Sequence, residues 1–296
     1  MTLPLTVVMI TLNEAHHMRA VLDNLEGFAA KIFVVDSFSN DDTVDIALER
    51  GANVVQRRFK DFGDQWNYAA SELPVDTPWV MKLDPDERIS DRLKQSIAEA
   101  LEKEDADGFS FRRQLWLMGK PLPVYNHVIR IWRHGKCRFS NVIVNEHPII
   151  DGETRDLAGD REHRDSPNLH HWFEKQNHYC TAEAIAMYHG YALADRPKLL
   201  GSRLQRRMWM KTYFWNMPGR YALLYLYHLL WIGSWRAGKV GLIWARLRTE
   251  LYRTQEYKLY EMRRTGKPYE LLPTGHGPAH PGAVQAETPG EGTKPV

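Results

Sequence analysis

Lys31-Ile-Phe-Val-Val-Asp36 decides how this chain is read. Its apolar run is too short for a helix, is rich in β-branched residues and stops at an acid, the pattern of a buried strand. Upstream, residues 5–11 form a second such run. A helical spacing of Met18, Val21, Leu22 and Leu25 follows and is closed by Gly27. Downstream come a helix over 42–50 closed by Gly51, a brief strand over 53–56, a helix over 64–71 and a strand over 79–83. An amphipathic helix over 89–102, opened by Ser90 or Asp91, completes the series. Short strands alternating with helices mean βαβ units, so the fold class is α/β, with a mostly parallel central sheet flanked by helices. Ligands of such sheets bind beyond the carboxyl ends of the strands.

Past residue 107 the pattern changes. Strands are expected over 108–117, 128–133 and 138–144, and the polar stretch 151–168, with Gly152, Gly159 and Pro167, reads as a loop. Helices are expected over 173–191, 198–214, 221–235 and 240–264. The organisation is a first domain over 1–190, a basic aromatic helical extension over 191–267 and a tail over 268–296 rich in Pro, Gly and Thr, expected to be disordered.

Of the 296 residues, 43% are hydrophobic and 26% charged, which excludes a wholly disordered chain and a disulfide-stapled miniprotein. Cys137 and Cys180 show no metal or redox spacing, so a reducing cytoplasm is expected, and residues 1–12 read as a strand rather than a secretion signal. The net charge of +2 hides an asymmetry. Residues 196–267 hold 16 Lys and Arg against three acids, a local +13, which leaves −11 for the rest. A basic segment of this kind suits an anionic surface, and equally a solvated face on packed helices.

Acids mark three strand ends: Asn13-Glu14 after the first, Asp36-Ser37 after the second and Asp84-Pro-Asp86-Glu87 after the fourth. One acid there is commonly a helix cap, but three on one rim form a site. Carboxylates two residues apart on a proline-stiffened turn can share a hard cation, Mg²⁺ or Mn²⁺, which completes its shell with phosphate oxygens. Neither a GxGxxG nor a GxxxxGK[ST] loop is present, which removes Rossmann dehydrogenases and P-loop NTPases. A nucleotide site without such a loop must neutralise its diphosphate with metal.

VVMITLNE (7–14), FVVDSFSNDDT (33–43) and KLDPDER (82–88) together resemble the family 2 glycosyltransferases of GT-A fold, closest to the bacterial enzymes of lipopolysaccharide-core and surface-polysaccharide assembly. FGDQWNYAA (62–70), IRIWRHGKCRFSNVIVNEH (129–147) and LHHWFEKQNHY (169–179) extend the resemblance over residues 5–190. It implies that Thr11, Asn13 and Glu14 line a nucleotide pocket, that Asp36 and Ser37 hold base or ribose, and that Gln65 and Asn67 face the donor. Asp84 and Asp86 stand as the DxD pair, Asp86 as metal ligand and Asp84 nearer the ribose. His170 matches the family's Leu-His and is the expected further ligand, with His171 and His147 as rivals. Transfer in this family usually inverts the anomeric carbon, which calls for a general base. Glu146, sixty residues after Asp86, fills that role, although Asn145 stands where many relatives carry histidine.

The implied activity moves a sugar from a nucleotide-sugar donor to a lipid-linked glycan hydroxyl at the inner face of the cytoplasmic membrane. Transfer to a polyprenyl phosphate is the alternative chemistry, and a non-catalytic nucleotide-sugar-binding scaffold the alternative class. Residues 221–235 carry no Asp, Glu, Lys or Arg but are too few to span a bilayer, for which ~20 are needed. Aromatic residues interleaved with Arg and Lys suit peripheral contact with an anionic membrane; the bland reading is packing on the first domain or on a second copy of the chain. No nucleic-acid motif is present, so no nucleic-acid partner is expected.

Overall fold

A computed structural model describes residues 2–139, 147–164, 166–190, 198–201 and 203–270. Strands β1 (Leu3–Thr11), β2 (Ala29–Asp36), β3 (Asn53–Gln56) and β4 (Trp79–Lys82) alternate with helices α1 (Ala15–Leu25), α2 (Thr43–Glu49) and α3 (Phe62–Ser71). They pair in parallel in the order β3-β2-β1-β4, with Thr11 level with Asp36, so all the acidic strand ends share one rim. The expected βαβ series is present.

β1 lies at the centre because both of its faces are apolar. Leu5, Val7 and Met9 enter one core with Met18, Val21 and Leu25 of α1, while Val8 and Ile10 enter another with Phe33, Val35 and Trp66. Successive side chains of a strand alternate faces, so a continuous apolar run is what a doubly covered strand requires. Helix α4 (Asp91–Lys103), capped by Ser90 Oγ accepting from Leu93 N at 3.3 Å, buries Leu93, Ile97 and Leu101 on the first core.

The second half of the sheet is mixed. β6 (Gly108–Leu117) and β7 (Lys120–Arg133) are antiparallel, β7 joins β4, and β10 (Thr154–His163) runs parallel to β6 with short β5 (Glu87–Ile89) on its other side. β10 overturns the expected loop over 151–168. Leu157 is its one apolar side chain packed on the first core and Arg161 its one fully buried position, so no apolar alternation announces it. Arg161 is nonetheless fully buried, because Glu87 waits for it inside. Gly159 (φ +110°) is needed where β10 crosses α4, since a Cβ there would sit 2.7 Å from the Leu93 backbone. The strand expected over 138–144 is described only as β8 (Cys137–Phe139), which pairs with β9 (Pro148–Ile150); the remainder lies outside the described residues.

Helix α5 (Leu169–His189) packs on the long α8 (Lys239–Thr265), and Trp172 and Trp244 meet Leu117 and Leu122 beneath them. The helix expected over 221–235 is broken into α7 (Arg220–Leu226), a wide π turn over Tyr227–Trp231 and a 3₁₀ turn over Ser234–Ala237. Gly233 (φ +78°) makes the corner, and Gly241 lets the 3₁₀ turn press on α8, where a Cβ would meet Ser234 O at 1.7 Å. Between them, α6 (Arg203–Tyr213) ends in a 3₁₀ turn over Phe214–Asn216, short of the helix expected to 214. The tail beyond Glu270 lies outside the described residues.

Candidate active site

The β1 and β2 ends are tied into one floor. Asp36 is fully buried, and its carboxylate accepts from Thr11 Oγ1 (2.8 Å), Ser39 N (2.9 Å), Ser39 Oγ and Gln56 Nε2 (3.1 Å). The loop after β2 is laced to the loop after β1: Asn13 N donates to Ser39 Oγ, Asn40 N to Asn13 Oδ1 and Glu14 N to Thr43 Oγ1. Asn13 adopts a left-handed φ of 56°, which short amide side chains tolerate. Asp36 thus ties the ends of β1, β2 and β3 together.

Gln65 sits beneath Ser37, donating to its Oγ at 3.4 Å and accepting from Arg57 at 2.7 Å. Asn67 exchanges two hydrogen bonds with the Phe139 backbone, at 2.8 and 3.2 Å. Gln65 therefore joins the rim, whereas Asn67 anchors β8 to α3.

The Asp84-Pro-Asp86 turn stands on a buried charge network. Glu87 is fully buried; its Oε2 accepts from Arg161 Nη1 (2.7 Å) and from Asp84 N (3.0 Å), and its Oε1 from Arg130 Nη2 (3.2 Å). Arg130 also reaches Asp84 Oδ2 at 3.0 Å. Burial alone would raise the Asp84 carboxyl, but the Arg130 guanidinium and the Lys82 ammonium outweigh it and hold it below the ordinary range. Burial lowers Arg161 to about 10, still charged at neutral pH. Arg88 closes the turn from below by donating to the carbonyls of Pro85 (2.7 Å), Glu87 (2.6 Å) and His17 (3.1 Å).

Asp86 projects from this platform. Its Oδ2 lies 3.2 Å from His163 Nε2 and 3.9 Å from Lys175 Nζ, and its buried Oδ1 has no partner among the described residues. Burial pushes its carboxyl up, and the His163 imidazole more than reverses that, leaving it well below the usual range. Ligand atoms of Asp86, Glu87 and His163 lie within 4.8 Å of one another. Glu87 is already committed to two arginines, so Asp86 and His163 are the members of this cluster left for a cation. Carboxylate oxygens with one imidazole suit Mn²⁺ or Mg²⁺ in kind, and an orphaned carboxylate oxygen is where such an ion binds.

Glu14 faces this cluster. Burial, aided by the negative field of Asp86, pushes its carboxyl up to about 8, while burial lowers His17 to about 3 and keeps that ring neutral. Glu14, His16 and His17 also bring ligand atoms within 4.8 Å. Helix α5 presents two faces here. His171 and Lys175 turn inward, toward His16 (ring centroids 5.5 Å) and Asp86, whereas His170 and Glu174, one position earlier, pair at 3.5 Å on the solvent side. The His170 side chain is 86% exposed and pairs with Glu174, and the imidazole that lies beside Asp86 is that of His163. His147 lies beyond both ligand clusters, and Glu146 is outside the described residues. His163, Arg130 and Arg161 escaped the sequence reading. The run Arg161-Glu162-His163 is polar at every step, so no apolar face marked it as a buried strand.

A parallel βαβ sheet with paired acids at its rim and no phosphate loop defines a class, the nucleotide-sugar transferases of GT-A type. Residues 6–191 match the glycosyl transferase family 2 model, so the chain belongs to that family. An uncharacterized glycosyltransferase of Rickettsia felis is 26% identical over 164 residues, 52% of this chain and 57% of that one. The lipopolysaccharide core biosynthesis glycosyltransferase LpsC of Rhizobium meliloti is 27% identical over 147 residues, 46% and 53% of the two chains. The matches span between half and two thirds of these relatives. Among solved structures, glucosyl-3-phosphoglycerate synthase of Mycobacterium tuberculosis, in complex with Mn²⁺, UDP and glucosyl-3-phosphoglycerate, is 20% identical, covering 37% of this chain and 43% of that one with a TM-score of 0.31.

Proposed function

We propose that this protein transfers a sugar from a nucleoside-diphosphate donor to a hydroxyl of a lipid-linked surface glycan, with Mg²⁺ or Mn²⁺ held by Asp86, Asp84 and His163. The carrying observation is Asp86 Oδ1, buried beside His163 without a partner among the described residues, on a turn braced by buried ion pairs. The LpsC likeness favours a lipopolysaccharide-type acceptor.

The division of labour follows from placement. Asp36, Thr11 and Ser37 shape the floor on which a nucleoside would rest, with Asn13 and Glu14 at its edge. Lys175 and His163 bring positive charge or hydrogen-bond donors to the Asp86 side of the pocket. The cation, when bound, would offset negative charge on the departing diphosphate. Glu146 is proposed as the base that takes the acceptor proton. Residues 1–190 form the catalytic part, and the basic aromatic extension holds it peripherally at an anionic membrane. Among the described residues no helix is long and apolar enough to cross one.

A panel of nucleotide sugars with Mg²⁺ or Mn²⁺ and membrane extract, scored for nucleoside diphosphate release, tests this. Release from one donor that chelator and Asp86→Ala both abolish is the expected result; binding without turnover for every donor would instead indicate a scaffold. Glu146→Gln separates the acceptors, since it should cripple transfer to a hydroxyl and spare transfer to an ionised polyprenyl phosphate.

A further inference from the structure

α7 and the π turn that continues it wear their apolar face outward. Leu223, Leu226, Tyr227, Leu230 and Trp231 recur at three- and four-residue spacing, the signature of one helix face, and every one is exposed, Leu230 to 62% and Trp231 to 81%. The opposite face is the anchored one. His228 is buried with its ring 5.1 Å from that of Trp244, and Ile232, whose N–H closes the wide turn on Tyr227 O at 3.0 Å, packs in the same cluster. The orientation is therefore set by packing. Beyond the Gly233 corner, Trp235 is exposed as well.

The electrostatics select one occupant. No Asp or Glu occurs between Arg196 and Thr249, while Arg236 and Lys239, which follow the face closely in the chain, and Arg246 are exposed. A face of Leu, Tyr and Trp with a basic border complements an anionic lipid surface, where the rings sit at headgroup level and the cations meet lipid charge. The twelve residues of α7 and the π turn extend roughly 18 Å, which allows this element to lie in the interface and not to cross it. The chain's own C-terminal residues 271–296 offer Leu271, Leu272, Val284 and Val296 as large apolar side chains, too few to cover such a face.

We propose that Leu223, Leu226, Tyr227, Leu230, Trp231 and Trp235 form the edge that inserts into the interface of an anionic bilayer. The inference deepens the membrane part of the function above and gives it a residue-level surface. Insertion buries the side chains that the protein leaves in water, and the basic border makes it depend on lipid charge and salt.

The full-length protein would be floated with vesicles of phosphatidylcholine alone or with 30% phosphatidylglycerol, at low and high salt. Binding to the anionic vesicles only, weakened by salt and reduced at least tenfold in Leu230→Ser/Trp231→Ser, is expected. The independent pair Arg236→Glu/Lys239→Glu should abolish the preference for anionic lipid. Equal binding to both vesicle types, or wild-type binding by Leu230→Ser/Trp231→Ser, would overturn the proposal. So would a wild-type dimer in sedimentation that the same substitution dissociates, since the face would then belong to a second copy. Nucleoside diphosphate release to water, without vesicles, reports on the catalytic reading separately.

Discussion

The rim of the sheet and the C-terminal segment break the ordinary distribution of polarity in opposite directions. At the rim, Glu87 and Arg161 are fully buried and Arg130 nearly so; in the segment, Leu230 and Trp231 stand in water. A buried charge survives only when it is paired and hydrogen-bonded, and Glu87 meets that condition with two guanidiniums and a backbone amide. An exposed apolar face has no such internal remedy and points to something outside the chain. The comparison teaches that the first irregularity serves geometry, while the second is the ground for the proposed membrane contact.

Catalysis provides the largest contrast. Asp86→Ala should lower nucleoside diphosphate release by about 10²–10³-fold, on the scale of removing a principal electrostatic group, whereas Trp231→Ser should leave release in solution unchanged. Loss of stability is next. Arg161→Met leaves Glu87 underpaired and should cost about 3–5 kcal/mol in urea unfolding. Trp231→Ser, at an exposed position, should stay within about 0.5 kcal/mol. Comparable costs for the two would erase the distinction drawn between these regions.

Within the rim, His163→Ala should raise the Mn²⁺ concentration needed for half-maximal release ~10–100-fold, and His170→Ala should leave it alone. The reverse ranking would restore His170 as the ligand and move α5 from the wall of the site to its centre.

The smallest effect is a pH slope. Glu14 carries a folded-state carboxyl pushed from 4.5 up to about 8, so the folded form holds the proton more tightly than the unfolded chain does. Its contribution to stability therefore falls as pH rises from about 4.5 through about 8. Glu14→Gln should match wild type near pH 4.5 and gain on it steadily as pH rises through about 8, read from thermal melts without donor or metal. A flat difference across that range would show that Glu14 is open to solvent and not held in the field of Asp86.

The first half of the fold was legible because β1, β2 and β4 are apolar on both faces and end in acids, so strand, sheet type and rim could all be read locally. β10 was not legible. It is built from charged residues whose burial becomes tolerable only once Glu87, more than seventy residues earlier, is brought beneath Arg161. The 221–235 segment misled in a different way. Its spacing is helical throughout, and the corner at Gly233 and the wide turn before it follow from how Trp244 and Gly241 of α8 receive the chain.

Family, sheet class and the Asp84/Asp86 pair were thus determined by the sequence alone, since they rest on local periodicity and on residues close together in the chain. Only the tertiary structure decided that Asp36 ties the ends of β1, β2 and β3 together, that Asn67 anchors a strand, that the imidazole beside Asp86 is that of His163, and that the 223–231 face points outward. Each of those depends on which way a side chain turns relative to a distant partner, and helix or strand spacing defines a face without saying what lies opposite it.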